Sequence, residues 1–173
     1  MNGNCHFING IAVTTLVSLN IDNFIKITNI SIDNRQAFLT CLVLGGVLGS
    51  IFPDIDNPTS HFGQLAKPFS TIIAALGCLV GKRDYNHRWI LHDLTLNVLG
   101  FYLCTLFFPY LTGFFIGTLS HLALDTLNPS GIPVFFGMGN LTLAKVPSNS
   151  RLGTLLSYAC AVALFILTFF VIK

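Results

Sequence analysis

The chain has 173 residues, of which 53% are hydrophobic and only 9% charged, and its mean hydropathy is +0.72. Soluble domains carry about 25% charged residues, so this composition excludes an ordinary soluble domain and indicates an integral membrane protein with the lipid bilayer as its partner. The net charge of +2 is too small to indicate nucleic acid as a second partner. The length suits one domain, so residues 1–173 are predicted to form a single integral membrane unit.

Six apolar segments follow one another along the chain. They cover residues 7–19, 37–52, 69–81, 94–109, 111–127 and 152–172. A spanning helix needs about 20 residues, so the last segment is the clearest span. The second, fourth and fifth are adequate with their flanking residues, and the first and third are short. A loop rich in Gly, Pro, Ser and Asn covers 128–150. The pattern predicts an all-α, polytopic membrane helix bundle with about five spanning helices and one short interfacial or re-entrant helix.

The third segment decides which polar residues share a side of the membrane. If all six segments cross, His6 and Asp54 lie on the side opposite to His121. If residues 69–81 do not cross, seven polar residues lie on one side: His6, Asp54, Asp56, His87, His92, His121 and Asp125. With five crossings, six Lys and Arg residues lie on the side of these polar residues and three on the other side. With six crossings the division is seven to two, so the positive-inside rule alone prefers the topology with six crossings. Because segment length and the convergence of these residues agree, we predict five crossings, with the site on the cytoplasmic side.

The end of the fifth segment carries a pair of residues with metal-ligand chemistry. His121 and Asp125 are spaced i, i+4, so a helix places both side chains on one face, one turn apart. A neutral imidazole and a carboxylate in this arrangement form half of a divalent-metal site. The alternative is a helix end whose His and Asp cap the helix or meet solvent.

Two G-x-x-x-G pairs precede these polar helix ends. Gly45 and Gly49 lie in the second segment, and Gly113 and Gly117 lie in the fifth. Small residues at this spacing let membrane helices approach closely, so the two segments are predicted to pack together and to bring their polar ends into one place. The alternative is plain helix packing without chemistry.

Further polar residues lie at the ends of the second and fourth segments. Asp54 and Asp56 follow Pro53 and cannot both point the same way in extended backbone, so one could ligate a metal while the other bridges a second ion or orients a ligand. Two solvated carboxylates are the alternative. The planar guanidinium of Arg88 suits a phosphate or carboxylate group. Its alternative role is an interface anchor beside Trp89.

Taken together, these residues resemble a known family. The set His6, Pro53-Asp54-Ile55-Asp56, His87-Arg88-x-x-x-His92 and Ser120-His121-x-x-x-Asp125 followed by Gly131 is similar to the YdjM-type family. The resemblance covers residues 6–133 and leaves the C-terminal spanning helix, 152–172, unmatched. It implies a LexA-regulated, metal-dependent hydrolase of the bacterial inner membrane, distantly similar to zinc-dependent phospholipase C enzymes.

Carried over by position, the resemblance also implies six metal ligands, and the chain departs from the family's usual sequence at one motif. The ligands are His6, Asp54, His87, His92, His121 and Asp125. Where the family usually has Thr-His-Ser, this chain has Leu91-His92-Asp93, so two hydroxyl groups are replaced and a carboxylate is gained. Asp93 is expected either to support a histidine or to mark a changed activity.

The resulting hypothesis is metal-assisted hydrolysis of a phosphoester at the membrane interface, in a phospholipid or a lipid-linked substrate. One or two divalent ions, zinc first and manganese second, suit a ligand set of His and Asp and would activate a water molecule. Asp56 is the predicted general base, and Arg88 is predicted to stabilise the developing charge. Two alternatives stay open: a non-enzymatic membrane protein with a structural metal site, and a cation transport protein.

Overall fold

The structure is a computed structural model that describes residues 3–56, 60–79, 90–147 and 150–171. Within these ranges the chain forms eight α-helices and one antiparallel hairpin of two strands. The helices are α1 (Gly3–Leu19), α2 (Ile21–Thr28), α3 (Arg35–Ile51), α4 (His61–Leu65), α5 (Lys67–Leu79), α6 (Leu94–Phe107), α7 (Thr112–Asp125) and α8 (Arg151–Val171). The strands are β1 (Ile132–Val134) and β2 (Gly139–Leu141), and short 3-10 turns cover Phe52–Asp56, Ile90–His92 and Pro109–Leu111.

The predicted helical class is confirmed, with two additions. Each of the six apolar segments coincides with a helix, namely α1, α3, α5, α6, α7 and α8. The hairpin lies in the Gly- and Pro-rich loop and was not predicted. Helix α2 was not predicted either: it buries Ile21 and turns Phe24 and Ile25 towards the core, while Asp22 and Lys26 remain exposed on the other face.

One helical stretch of the described chain, Arg35–Ile55, is long and apolar enough by itself to cross a membrane. Helices α1 and α2 pass the same test as a pair, although the chain bends by 84° between them. Two shorter apolar helical stretches are Leu94–Phe107 and Arg151–Leu167. The described residues thus contain one or two clear spans, and the five crossings stay a prediction.

Helix α3 lies at the centre of the bundle. It contacts α1 and α7, which also contact each other, while α8 packs on α1 and α6 packs on α7. Helices α3 and α7 run parallel. Gly113 faces Leu42, Gly117 faces Gly46 and His121 faces Ser50, and the same 71 residues separate each pair along the chain.

The contact between α3 and α7 depends on glycine. A Cβ atom at Gly49 would collide with the carbonyl of Phe114, and one at Gly117 would collide with the carbonyl of Gly46. At Gly113 an added Cβ would collide with the backbone of Leu42. The predicted close approach of these two apolar segments is therefore confirmed, and we call this contact the glycine seam.

The two ends of the glycine seam differ in chemistry. One end, the apolar end, is a cluster of buried side chains: Ile21, Ile30, Phe38, Leu42 and Ile116. The Tyr110 ring packs edge-on against the ring of Phe38, with 6.1 Å between centroids. The other end, the polar end, lies where α3 and α7 finish, and it holds the candidate site.

Candidate metal centre

The end of α3 orients the central histidine of the site. Pro53 has no N–H to continue the helical hydrogen bonds, so α3 ends at Ile51 and the chain enters a 3-10 turn. At this end the carbonyl of Ser50 accepts a hydrogen bond of 2.7 Å from Nδ1 of His121. Because a carbonyl oxygen can only accept, Nδ1 carries the proton, so in the neutral ring the lone pair is on Nε2. The Nε2 atom of His121 is thereby prepared to bind a cation.

Two carboxylates face this lone pair. His121 Nε2 lies 3.7 Å from Oδ1 of Asp54 and 3.7 Å from Oδ2 of Asp125. Two more imidazoles reach the Asp125 carboxylate, with Nε2 of His92 3.7 Å from Oδ2 and Nε2 of His6 3.5 Å from Oδ1. These separations are long for direct hydrogen bonds. They are close to the roughly 3.3–3.6 Å expected between two ligand atoms that each lie about 2.0–2.2 Å from one tetrahedral zinc ion.

The cluster is almost completely buried. The exposed fraction is 1% for His6, 0% for His92 and His121, and 2% for Asp125, whereas Asp54 is 16% exposed. The rings of His6 and His121 stack, with centroids 3.6 Å apart and planes inclined by 13°. The ring of His92 meets His121 edge-on at 5.3 Å. Asp54 is therefore the member of the cluster that is most accessible from outside.

Two buried ring nitrogens of the cluster have no hydrogen-bond partner among the described residues. Nδ1 of His6 and Nε2 of His121 are buried and accept or donate no hydrogen bond there. A buried polar group left in this state costs about 1–3 kcal/mol, so native structures rarely retain one without a ligand or water. The donor set therefore fits a bound cation.

Two overlapping groups of residues could hold such an ion. The first is His6, Asp54 and His121, and the second is His92, His121 and Asp125; in each group the ligand atoms lie within 4.8 Å of one another. The Asp125 carboxylate is itself oriented by Asn128, whose Nδ2 donates to Oδ1 at 2.6 Å. Such a hydrogen bond to a ligand fixes its direction.

The structure brings together five of the six predicted ligands: His6, Asp54, His92, His121 and Asp125. The sixth, His87, lies outside the described residues, as does the predicted charge-stabilising residue Arg88. The backbone of Asp56, the predicted general base, belongs to the 3-10 turn after α3, and its side chain lies outside the described part. The chemical roles of all these residues stay predictions.

Asp93, which stands where the family usually has Ser, contacts the backbone at two places. Its Oδ1 accepts from the backbone N–H of Leu96 at 3.1 Å and thereby caps α6. Its Oδ2 accepts from the N–H of Gly137 in the hairpin at 2.9 Å. The carboxylate thus joins the start of α6 to the hairpin, a function that its sequence position did not predict.

Two partners of the site were missed by sequence reasoning. Asn128 follows Asp125 by three residues, so its spacing was a usable signal for a side-chain partner. The carbonyl of Ser50 left no such signal, because every residue has a backbone carbonyl and only the fold selects this one.

Fold and site together define a mostly helical protein that has apolar helices of membrane-span length and a buried His and Asp cluster. The family described as YdjM inner membrane protein matches residues 1–172, so the chain belongs to this family of inner membrane proteins. The predicted resemblance is confirmed, and the match also includes the last helix, which the motifs left unmatched.

Individual relatives cover less of the chain. The inner membrane protein YdjM of Escherichia coli (strain K12) and that of Shigella flexneri are each 36% identical to the chain over 105 residues. Each match covers 55% of this chain and 48% of the relative, so the chain matches about half the length of these proteins. No solved structure matches the chain significantly.

Proposed function

We propose that this protein is a membrane-bound, metal-dependent hydrolase that cleaves a phosphoester in a phospholipid or lipid-linked head group. The observation that carries the proposal is the pair of three-residue groups that share His121 at the polar end. Together the two groups offer five ligands, more than the four of a closed structural zinc site. A catalytic site differs from a structural one in keeping a coordination position open for water or substrate.

Each residue of the cluster has a defined task in this proposal. His6, His92 and His121 supply neutral nitrogen ligands, and Asp54 and Asp125 supply carboxylate oxygens, a set that suits zinc or manganese. Such an ion, when bound, generates a nucleophile from water near neutral pH and polarises a phosphoryl oxygen. Asp54 is the most exposed of the five side chains, so we expect a substrate head group to reach the cluster past this carboxylate.

We also propose that the chain crosses the membrane five times, with the polar end on the cytoplasmic side. Asp54 follows α3 and Asp125 ends α7, while His92 precedes α6, and all three lie in one cluster. The segment between α3 and α6 therefore begins and ends at the polar end. This supports the proposal that α5, which lies in this segment, does not cross the membrane. In this arrangement six Lys and Arg residues lie on the side of the cluster against three on the other side.

A second candidate is a non-enzymatic membrane protein in which the cluster binds a structural ion. Burial favours it, because four of the five residues are at most 2% exposed. A structural ion would stabilise the bundle without exchanging ligands with a substrate.

Metal analysis of the detergent-purified protein tests both candidates. The wild type is expected to contain about one or two zinc or manganese ions per chain after repletion, and Asp54→Ala and His121→Ala are expected to lose them. Asp22→Ala is the matched control, because this carboxylate is exposed and lies in α2, outside the cluster. A wild type without metal contradicts both candidates.

A phosphoester screen of the metal-loaded wild type then separates the two. Turnover of a phospholipid or lipid phosphate that is lost in His121→Ala supports the hydrolase. Full metal occupancy without turnover of any phosphoester, together with metal that resists exchange, supports the structural site.

A further inference from the structure

The hairpin ends in an exposed apolar turn. The residues Phe135, Phe136, Gly137 and Met138 connect β1 to β2, and we call them the hairpin tip. The exposed fractions of Phe135, Phe136 and Met138 are 65%, 61% and 87%. In water this arrangement would be unfavourable, because three large apolar side chains stand next to one another without cover.

The backbone of the hairpin tip is held in an unusual conformation. The φ angles of Phe135 and Phe136 are 51° and 59°, in the left-handed region that bulky side chains rarely adopt. Hairpin turns of this kind normally use Asn or Gly, which enter the region at little cost. Two adjacent phenylalanines at these angles, both exposed, indicate that the side chains themselves are needed where they stand.

The hairpin tip is fixed to the helices that carry the cluster. The N–H of Phe135 donates to the Thr95 hydroxyl at 2.8 Å, and the N–H of Gly137 donates to the Asp93 carboxylate at 2.9 Å. At the base of the hairpin, the N–H of Leu143 donates to the carbonyl of Thr126 at 2.7 Å, just after α7. The tip is thus anchored beside His92, the residue that precedes Asp93.

The hairpin tip continues an apolar face of α6. Thr95, which anchors the tip, shares one helix face with Val98, Leu99 and Tyr102 at spacings of three, four and seven residues. These three side chains are 49%, 45% and 58% exposed. In a member of an inner membrane protein family, an exposed apolar helix face meets lipid.

The sequence around the tip carries no charge that would oppose burial in lipid. No Asp, Glu, Lys or Arg lies between Asp125 and Lys145. We propose that the hairpin tip inserts into the phospholipid bilayer, at the boundary between head groups and acyl chains, beside the polar end of the bundle. This contact is separate from the proposed catalysis and persists in a protein that hydrolyses nothing.

Tryptophan fluorescence tests the insertion. Trp89 is the only tryptophan of the chain, so Trp89→Phe gives a background without indole emission. Phe136→Trp and Met138→Trp are introduced separately in this full-length background, and each protein is reconstituted into vesicles of phosphatidylcholine and phosphatidylglycerol. Asn140→Trp, at an exposed polar position of β2, is the matched control. Circular dichroism and monodisperse elution select the variants that fold.

Lipids brominated near the glycerol end of the acyl chain are expected to quench the tip variants. We expect this quenching to be at least about twofold stronger than the quenching by lipids that carry bromine near the end of the acyl chain. The reason is that interfacial groups lie only roughly 5–10 Å deep in the bilayer. The control is expected to be quenched by aqueous iodide instead. Iodide quenching of both tip variants without lipid quenching overturns the proposal. So does the absence of quenching by either agent, which would place the tip against protein.

Discussion

The two ends of the glycine seam are built on the same pair of helices but hold opposite chemistry. At the apolar end Phe38 and Leu42 are fully buried among Ile and aromatic side chains, so that burial stabilises the bundle. At the polar end, the same depth of burial applies to His121 and Asp125, where it removes water from groups that prefer it. The difference indicates that the apolar end maintains the fold, whereas the polar end costs stability unless a bound ligand replaces the lost water.

Phe38→Ala tests the apolar end alone and has the largest expected effect. Removing this fully buried ring leaves a cavity against Tyr110 and should lower the free energy of unfolding by about 3–5 kcal/mol. Thermal unfolding in detergent measures the loss. Metal content per folded chain is expected to stay at the wild-type value, and a parallel loss of metal would show that the two ends are not independent.

Gly117→Val tests the seam that both ends share. The added side chain would collide with the carbonyl of Gly46 and push α3 and α7 apart, at a cost of about 3 kcal/mol. Both thermal stability and metal content should fall. Gly3→Ala is the control, since a Cβ there meets nothing within 4 Å and should change neither quantity.

Metal removal tests the polar end alone. A chelator should lower the stability of the wild type by about 2.7 kcal/mol when the starting free metal is about 100 times the dissociation constant. The melting temperature before and after chelation measures this effect. In His121→Ala, which lacks the shared ligand, chelation should change nothing. An equal shift in both proteins would mean that the ion stabilises the protein from another place.

Asn128→Ala tests the orientation of Asp125. Loss of the 2.6 Å hydrogen bond to Oδ1 should weaken metal affinity by about 10–100-fold while leaving the fold intact. Competition with a fluorescent chelator gives the dissociation constant. Asn140→Ala, which removes an exposed amide of β2, should bind metal like the wild type.

Phe136→Gly has the smallest expected effect on the free energy of unfolding, and it is expected to raise this free energy instead of lowering it. Glycine adopts a φ of 59° without strain, so the variant should gain about 0.5–1 kcal/mol in detergent after its larger chain entropy is subtracted. Phe136→Leu keeps the strain and should gain nothing. Equal melting temperatures for the two variants would show that the turn is unstrained.

Most of the helical architecture could be predicted from the sequence, because apolar segments near the length of a membrane span leave a strong compositional signal. Helix α2 was missed because its eight residues include Asp22 and Lys26, which resemble a loop until the inward face of Ile21 and Ile25 is recognised. The hairpin was missed because its strands have three residues each and its turn lacks the usual Asn-Gly signal.

The members of the site could be predicted because His and Asp are rare in this chain and recur at the ends of apolar segments. The glycine pairs added the information that α3 and α7 approach each other, which places Asp54 beside His121. The contacts with the Ser50 carbonyl and between Asp93 and the hairpin could not be predicted, because both depend on which backbone groups the tertiary fold leaves unpaired. The capping of α6 by Asp93 is local and could have been predicted from an Asp directly before an apolar segment.

The length of α3 fixes how the protein fits a bilayer. Together with the turn that follows it, α3 forms a helical stretch of 21 residues, Arg35–Ile55. This stretch extends over about 31 Å, from Arg35, which pairs with Asp22 at 2.8 Å in an exposed position, to the start of the cluster. A typical hydrocarbon core is about 30 Å thick, so this stretch matches the core in length with little room for tilt. Long acyl chains would draw the polar ends of this stretch into hydrocarbon, so we expect the protein to prefer membranes of ordinary thickness over those thickened by long acyl chains.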